Sequence, residues 1–178
     1  MVQVEIINIG DELLIGQVVN TNASQMAQKL NSYGFNVLAT SIIGDNQNQI
    51  RKSLDIALKR ADCVLITGGL GPTKDDITKK TLAEYFKSDL IIDKEVEEHV
   101  KSYFKRKQLP FTETNRAQAL VPEKCKVIFN PVGTAPGMCF EKNGKLIVSM
   151  PGVPFEMRLM MERVIEIMQT FFNQHTKI

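Results

Sequence analysis

A chain of 178 residues fits one domain of ordinary size and is long enough to bury a substantial core. Hydrophobic residues at 43% and charged residues at 24% make an ordinary globular balance, which excludes an intrinsically disordered chain. The net charge of +2 is too small to argue for nucleic acid or an anionic membrane surface, and the one basic run, Lys101, Lys105, Arg106 and Lys107, reads as a solvated helix face. No apolar stretch is long enough to span a bilayer, and residues 2–9 enter an apolar strand without a basic region or cleavage site, so neither membrane nor signal peptide is expected. Cys63, Cys125 and Cys139 are odd in number and show no CxxC spacing, which suits a reduced, cytoplasmic protein without structural disulfides or zinc.

The first strand is expected over residues 2–9, rich in Val and Ile and ended by Gly10. Residues 22–33 carry Ala23, Met26, Ala27 and Leu30 at helical spacing behind the capping residues Asn20, Thr21 and Asn22, and Gly34 stops that helix. A second strand follows over 35–43. Asn46 then caps a second helix with Ile50, Leu54, Ala57, Leu58 and Ala61 on one face. The buried run 63–67 is a third strand, and a third helix is expected from about 76 to 86. Such alternation argues for a mainly parallel sheet covered on both faces, with ligands at the carboxyl ends of the strands. The loops Gly10-Asp11-Glu12, Gly44-Asp45 and 68–76 should therefore converge on one edge.

The second half is less regular. Helices are expected over 94–107 and 114–120, a strand over 126–130, and an antiparallel hairpin over 138–150 turning at Asn143-Gly144. A long last helix over 155–172 is rich in methionine, which is expected to fill core rather than to bind metal. No repeat or domain boundary stands out, so residues 1–172 are read as one domain with a tail at 173–178.

The chemistry concentrates in Thr67-Gly68-Gly69-Leu70-Gly71-Pro72-Thr73-Lys74-Asp75-Asp76-Ile77-Thr78. Three glycines in four residues let backbone amides approach an anion closely at a strand–loop–helix junction, while adjacent carboxylates offer ligands to a cation. The segment lacks the Gly-Lys-Ser/Thr ending of a Walker loop and the third glycine of a dinucleotide fingerprint. Two more turn-rich motifs follow expected strands, Asn130-Pro131-Val132-Gly133-Thr134-Ala135-Pro136-Gly137 and Ser149-Met150-Pro151-Gly152-Val153-Pro154-Phe155-Glu156-Met157. His99 and His175 lack the neighbours of a catalytic histidine and are expected at the surface, and no serine or cysteine stands on a nucleophile elbow.

Taken with Asp11-Glu12-Leu13-Leu14-x-Gly16, Asn22 and Asn115-x-x-Gln118-Ala119, these motifs resemble the CinA family, the competence/damage-inducible proteins, in order and over nearly the whole chain. Their N-terminal domain is similar to the molybdopterin-binding domains of molybdenum-cofactor synthesis. The resemblance implies an α/β fold, a three-layer α/β/α domain with a mainly parallel sheet plus an antiparallel hairpin. It implies metal-dependent hydrolysis of a nucleotide pyrophosphate, ADP-ribose to AMP and ribose 5-phosphate. The alternatives are a molybdopterin-binding or molybdopterin-adenylylating domain, and a non-catalytic binding or oligomerising module of a longer protein. The deamidase domain of longer CinA proteins is not carried over to this chain.

On that resemblance Gly68, Gly69, Gly71 and Thr73 are expected to cradle a phosphate, with Lys74 beside it. Asp45 and Asp76 match the acidic positions of the related site, as catalytic residues or as ligands of Mg²⁺ or a similar divalent ion, with Asp75 supporting and Glu12 a further metal candidate. Asn22, Asn115 and Gln118 are expected on the sugar or base. Gly133, Thr134, Pro136, Gly137, Pro151 and Gly152 would wall the site. The expected partner is a small nucleotide such as ADP-ribose, with a homo-oligomer (dimer or trimer) as the assembly.

Overall fold

Three successive strand–helix steps lay down the sheet in the computed structural model, which describes residues 1–70 and 77–175, the side chain of His175 excepted. The strand β1 (Gln3–Ile9) leads through a one-turn helix α1 (Asp11–Leu14) to α2 (Thr21–Ser32) and β2 (Asn36–Ile43). Helix α3 (Gln47–Arg60) then returns the chain to β3 (Cys63–Thr67) on the opposite side of β1, and α4 (Ile77–Tyr85) follows. Right-handed crossovers that step in opposite directions must lie on opposite faces, so α2 and α3 cover different sides of the sheet. The remaining elements are β4 (Leu90–Ile92), α5 (Lys94–Arg106), α6 (Glu113–Arg116), a 3-10 turn (Ala117–Ala119), β5 (Leu120–Pro122), β6 (Lys126–Ile128), β7 (Gly137–Lys142), β8 (Lys145–Met150) and α7 (Pro154–His175).

The six-stranded sheet runs β2-β1-β3-β8-β7-β6. Strands β2, β1, β3 and β8 are parallel, and the expected hairpin supplies the antiparallel β7 against β8, with β6 antiparallel beyond it. Asn143 and Gly144, with φ of 52° and 72°, give that hairpin the two left-handed positions of a type I′ turn, whose twist matches the strands. A second, two-stranded sheet pairs β4 with β5.

Alternation along the strands divides the core into two halves. Val4, Ile6, Cys63, Leu65, Leu146, Val148 and Met150 face α2 and α7, where Met26, Leu30, Met157, Met160, Met161, Val164, Ile165 and Met168 meet them. Ile7, Ile9, Val64, Ile66 and Ile147 face α3 and α4, against Ile50, Leu54, Ala57 and Leu82. Each fully buried side chain of this size contributes roughly 1.5–3 kcal/mol. The methionines of α7 fill this core, as expected from their spacing. The three-layer α/β/α arrangement follows from these two halves.

Three polar devices fix the ends. Buried Glu5 receives both Nε and Nη2 of Arg60 at 2.8 and 2.9 Å. Lys145 Nζ donates to the Leu58 carbonyl in the last turn of α3 and to the Ala61 carbonyl just past its end, at 2.6 and 2.8 Å. The Asn46 side chain accepts from the amides of Asn48 and Gln49 at the start of the same helix. Asn46→Ala is expected to lower stability by about 1 kcal/mol in urea unfolding while leaving the fold intact; an unchanged midpoint would show that water caps α3 equally well.

Sequence expectations fail where pairing is long-range. The segments 90–92 and 120–122 pair as strands without a strand signal in sequence, because each is three residues long and meets its partner only through tertiary packing. The strand expected over 126–130 ends at Ile128, since the Asn130 side chain captures the following turn. No helix among the described residues is long and apolar enough to cross a membrane.

Candidate functional site

The chain leaves β1 for β2 on one side and reaches β3 on the other, so the carboxyl ends of β1 and β3 open a crevice at the point where the winding reverses. A cavity of about 730 Å³ lies there, within the range of small-molecule sites. Ile9 and Gly10 after β1, and Thr67, Gly68 and Gly69 after β3, form one side. Residues 18–22 lead into α2, and residues 151–154 with Glu156 lead into α7. Gln118, Thr134 and Ala135 also line it.

Packing beneath the cavity demands glycine. Gly68 has φ of 98°, and a Cβ on it would collide with the Ile9 carbonyl oxygen. Gly152 approaches so closely that its own Cβ would lie 3.2 Å from the Gly68 Cα. Thr78 pins this loop to α4, its hydroxyl donating to the Gly68 carbonyl at 3.0 Å and its amide to Gly69 at 3.2 Å. Below, the Thr67 hydroxyl donates to Asn8 Oδ1 at 3.0 Å, and the Asn8 amide donates to the Ser41 carbonyl of β2 at 3.2 Å. This buried chain locks the three strand ends in register.

The site's electrostatics have two signs. The amino ends of α2, 12 residues long, and α7, 22 residues long, open on the cavity and favour an anion. Asp11, Glu12 and Asp45 line the same cavity. Asp11 and Asp45 exchange bonds, each carboxylate accepting the other's backbone amide at 3.1 Å. Among the described residues, no group of three or more His, Cys, Asp or Glu side chains is arranged to hold a metal ion.

Two side chains on the wall are incompletely bonded. Asn22, 8% exposed, donates to the Gly152 carbonyl at 2.8 Å, but its Oδ1 is buried without a partner among the described residues. Gln118, 6% exposed, likewise leaves its Oε1 buried without a partner among the described residues.

Of the residues singled out from sequence, the cavity gathers Glu12, Asn22, Asp45, Gly68, Gly69, Gln118, Thr134, Pro151 and Gly152. Gly71, Thr73, Lys74, Asp75 and Asp76 lie outside the described residues. Gly133, Pro136 and Gly137 stand behind the lining rather than in it, with Gly137 packed against Met160 and Ile128. Asn115 is placed elsewhere. Its carboxamide accepts from the Thr112 amide at 3.0 Å and from the Thr112 hydroxyl at 2.6 Å, and it closes the capping box of α6. The Thr-x-x-Asn spacing is the sequence signal for that role.

Asn130 is the residue that sequence reasoning missed. It is 1% exposed and makes four bonds, donating to the Ala135 carbonyl and Glu156 Oε2 while accepting from the amides of Val132 and Gly133. It therefore ties the turn that carries Thr134 and Ala135 to the first turn of α7. His99, expected at the surface, is half-buried instead and donates from Nε2 to the Gly133 carbonyl at 3.1 Å, holding the turn from its other side.

The cysteines offer no nucleophile. Burial pushes the Cys63 thiol well up, Cys125 to about 12 and Cys139 to about 11, so all three stay protonated near neutrality.

The model of the probable molybdopterin binding domain matches residues 5–170. A putative competence-damage inducible protein of Caldicellulosiruptor bescii is 44% identical over 96% of this chain and 42% of its own length. The chain thus spans about two fifths of the length of such curated relatives. A crystal structure of the protein CinA from Thermoplasma acidophilum superposes with a TM-score of 0.83 at 35% identity, covering 92% of this chain and 96% of that one. The tungsten cofactor synthesizing protein MoaB from Pyrococcus furiosus shares the fold alone, with a TM-score of 0.64 at 18% identity over 100% of this chain and 98% of that one.

Proposed function

The chain belongs to the family of probable molybdopterin binding domains, in its CinA branch, and from that premise we propose that the crevice holds a phosphate-bearing pterin of the molybdopterin kind. The observation that carries this reading is the convergence of two long helix amino ends on a glycine-lined crevice at the winding reversal. Amides at such ends bind phosphate without a cationic side chain. Val18, Val19 and Val153 line the same cavity and leave an apolar flank for a flat ring.

A second reading, hydrolysis of a nucleotide pyrophosphate such as ADP-ribose, is favoured by the carboxylates. Binding of an anion alone gains nothing from Asp11, Glu12 and Asp45 on its border. Under this reading a divalent ion, Mg²⁺ or similar, would be held between the ligand's phosphates and Asp45 with Glu12. Such an ion neutralises charge on the phosphates and acidifies water. Asp45 would orient the attacking water and the backbone at Gly68 and Gly69 would keep the phosphate in line. Asp75 and Asp76 remain proposed partners of Asp45 on sequence grounds.

Equilibrium gel filtration with molybdopterin, the bound pterin being oxidised and measured by fluorescence, tests the first reading. ADP-ribose hydrolysis with and without Mg²⁺, followed as AMP release, tests the second. Retention of pterin near one per chain is the expected result. Mg²⁺-dependent AMP release without pterin retention would transfer the assignment to the second reading, and absence of both would end each.

A further inference from the structure

We propose that the outer edge of β2 pairs antiparallel with the same edge of a second copy of this chain, across a twofold axis at Thr40, joining the two six-stranded sheets into one.

The two edges of the sheet are built differently. The β6 edge is three residues long and carries the exposed Lys126, and shortness and lysine both keep other strands away. The β2 edge is eight residues long, and among the described residues no strand pairs with its outer side. It has none of the charges or prolines that blunt an edge. Residues 33–44 are all uncharged and include no proline, in a chain that is 24% charged. The one irregularity is an extra residue at Leu38, between the pairs Val4 with Val37 and Glu5 with Ala39, and residues 39–43 keep regular register with β1. Such a strand presents a row of backbone donors and acceptors to another chain.

Apolar surface follows this edge from end to end. Tyr33 before β2, Leu38 and Ile42 within it, and Leu14 and Ile15 beyond it are each at least 37% exposed. Leu14 belongs to this surface because its Cδ1 lies 3.3 Å from the Cβ position of Gly44, the residue that follows the strand. Five side chains of this size expose several hundred square ångströms, of the order of the ~800 Å² that each partner gives to a stable interface.

The occupant is a second copy because the edge is complementary to itself. Exposure alternates along β2, with Leu38, Thr40 and Ile42 as its exposed row. Antiparallel pairing about Thr40 sets Leu38 opposite Ile42 of the second copy on both sides of the axis, and Thr40 opposite Thr40. Apolar and Thr–Thr cross-strand pairs stabilise a sheet, whereas like charges directly opposite destabilise it. A twofold contact sets any charge near its axis against its own image, so an edge without charge is the kind that suits it. With the β6 edge blunted, the pairing closes at two chains.

Sedimentation velocity of the purified chain tests this, with Thr40→Lys and Thr40→Asp as variants. Thr40 is exposed, so each variant is expected to keep the wild-type circular dichroism spectrum. Wild type is expected at twice the 20.0 kDa of one chain. Each variant alone is expected at the mass of one chain, because like charges meet at the axis and weaken association at least about a hundredfold. An equimolar mixture of the two variants is expected to regain the mass of two chains, since opposite charges then meet there. A variant that had merely lost its fold could not recover in this way. Wild type at the mass of one chain, or of three or more, would overturn the proposal. So would variants that stay paired when alone, which would put the contact elsewhere, or a mixture that remains at the mass of one chain.

Discussion

Gly68→Ala is expected to cost roughly 2–5 kcal/mol in urea unfolding and to remove ligand binding at the same time. Two costs add. A φ of 98° is one that an L side chain rarely adopts, at roughly 1–2 kcal/mol. The new methyl group would also run into the Ile9 carbonyl, a backbone atom that moves only if β1 moves, and overpacking of this kind costs roughly 1–3 kcal/mol. Displacing the loop breaks the anchors from Thr78 to Gly68 and Gly69, so the amides that would face a phosphate lose their aim. Gly144→Ala is the matched control. Gly144 also has a positive φ, 72°, but nothing lies within 4 Å of its Cβ position, so it should show the backbone cost alone and full binding. Equal losses in the two variants would mean that conformation, and not the close approach of strands β1 and β3, sets the requirement for glycine.

Asn130→Ala is expected to cost roughly 3 kcal/mol, because it strands buried groups on both sides of the turn it organises. The amides of Val132 and Gly133 lose their acceptor, and the Ala135 carbonyl and the Glu156 carboxylate lose their donor. Thr134 and Ala135 line the cavity, so affinity should fall with stability. Asn130→Asp separates the two halves of the role. It keeps the acceptor for the two amides but sets a second carboxylate against Glu156, and it is expected to be no better than alanine. An aspartate variant as stable as wild type would show that the contact with Glu156 contributes little.

Local pattern made the parallel half of the fold legible. Residues 63–66 are continuously apolar and lie in β3, which ends at Thr67, while the caps at Asn20 and Asn46 and the stop at Gly34 define α2 and α3 to within a residue. The convergence of the Gly10, Gly44 and Gly68 loops follows from strand direction alone, and Asp11 and Asp45 do meet there. What escaped was set by partners distant in sequence. Strands β4 and β5 are separated by α5 and α6, and neither carries a hairpin signal. The contact of Asn130 with Glu156 spans 26 residues and reads in sequence only as a turn residue before a proline. Asn115 erred the other way. It stood in a motif shared with a ligand-binding family, yet its short-range geometry assigns it to the cap of α6. Which buried side-chain oxygens lack a partner among the described residues, as Asn22 Oδ1 and Gln118 Oε1 do, is a property of packing and has no sequence pattern.

A phosphate-bearing heterocycle is proposed to bind at the winding reversal between β1 and β3. Amide chemical shifts followed during titration with a phosphopterin test it most directly. Saturable shifts are expected at Gly68, Gly69, Gly152 and Asn22, with the side-chain amide of Gln118 moving in step. Shifts confined to the groove between α2 and α7, around Lys29, Arg158 and Glu162, or the absence of any shift at saturating ligand, would contradict it.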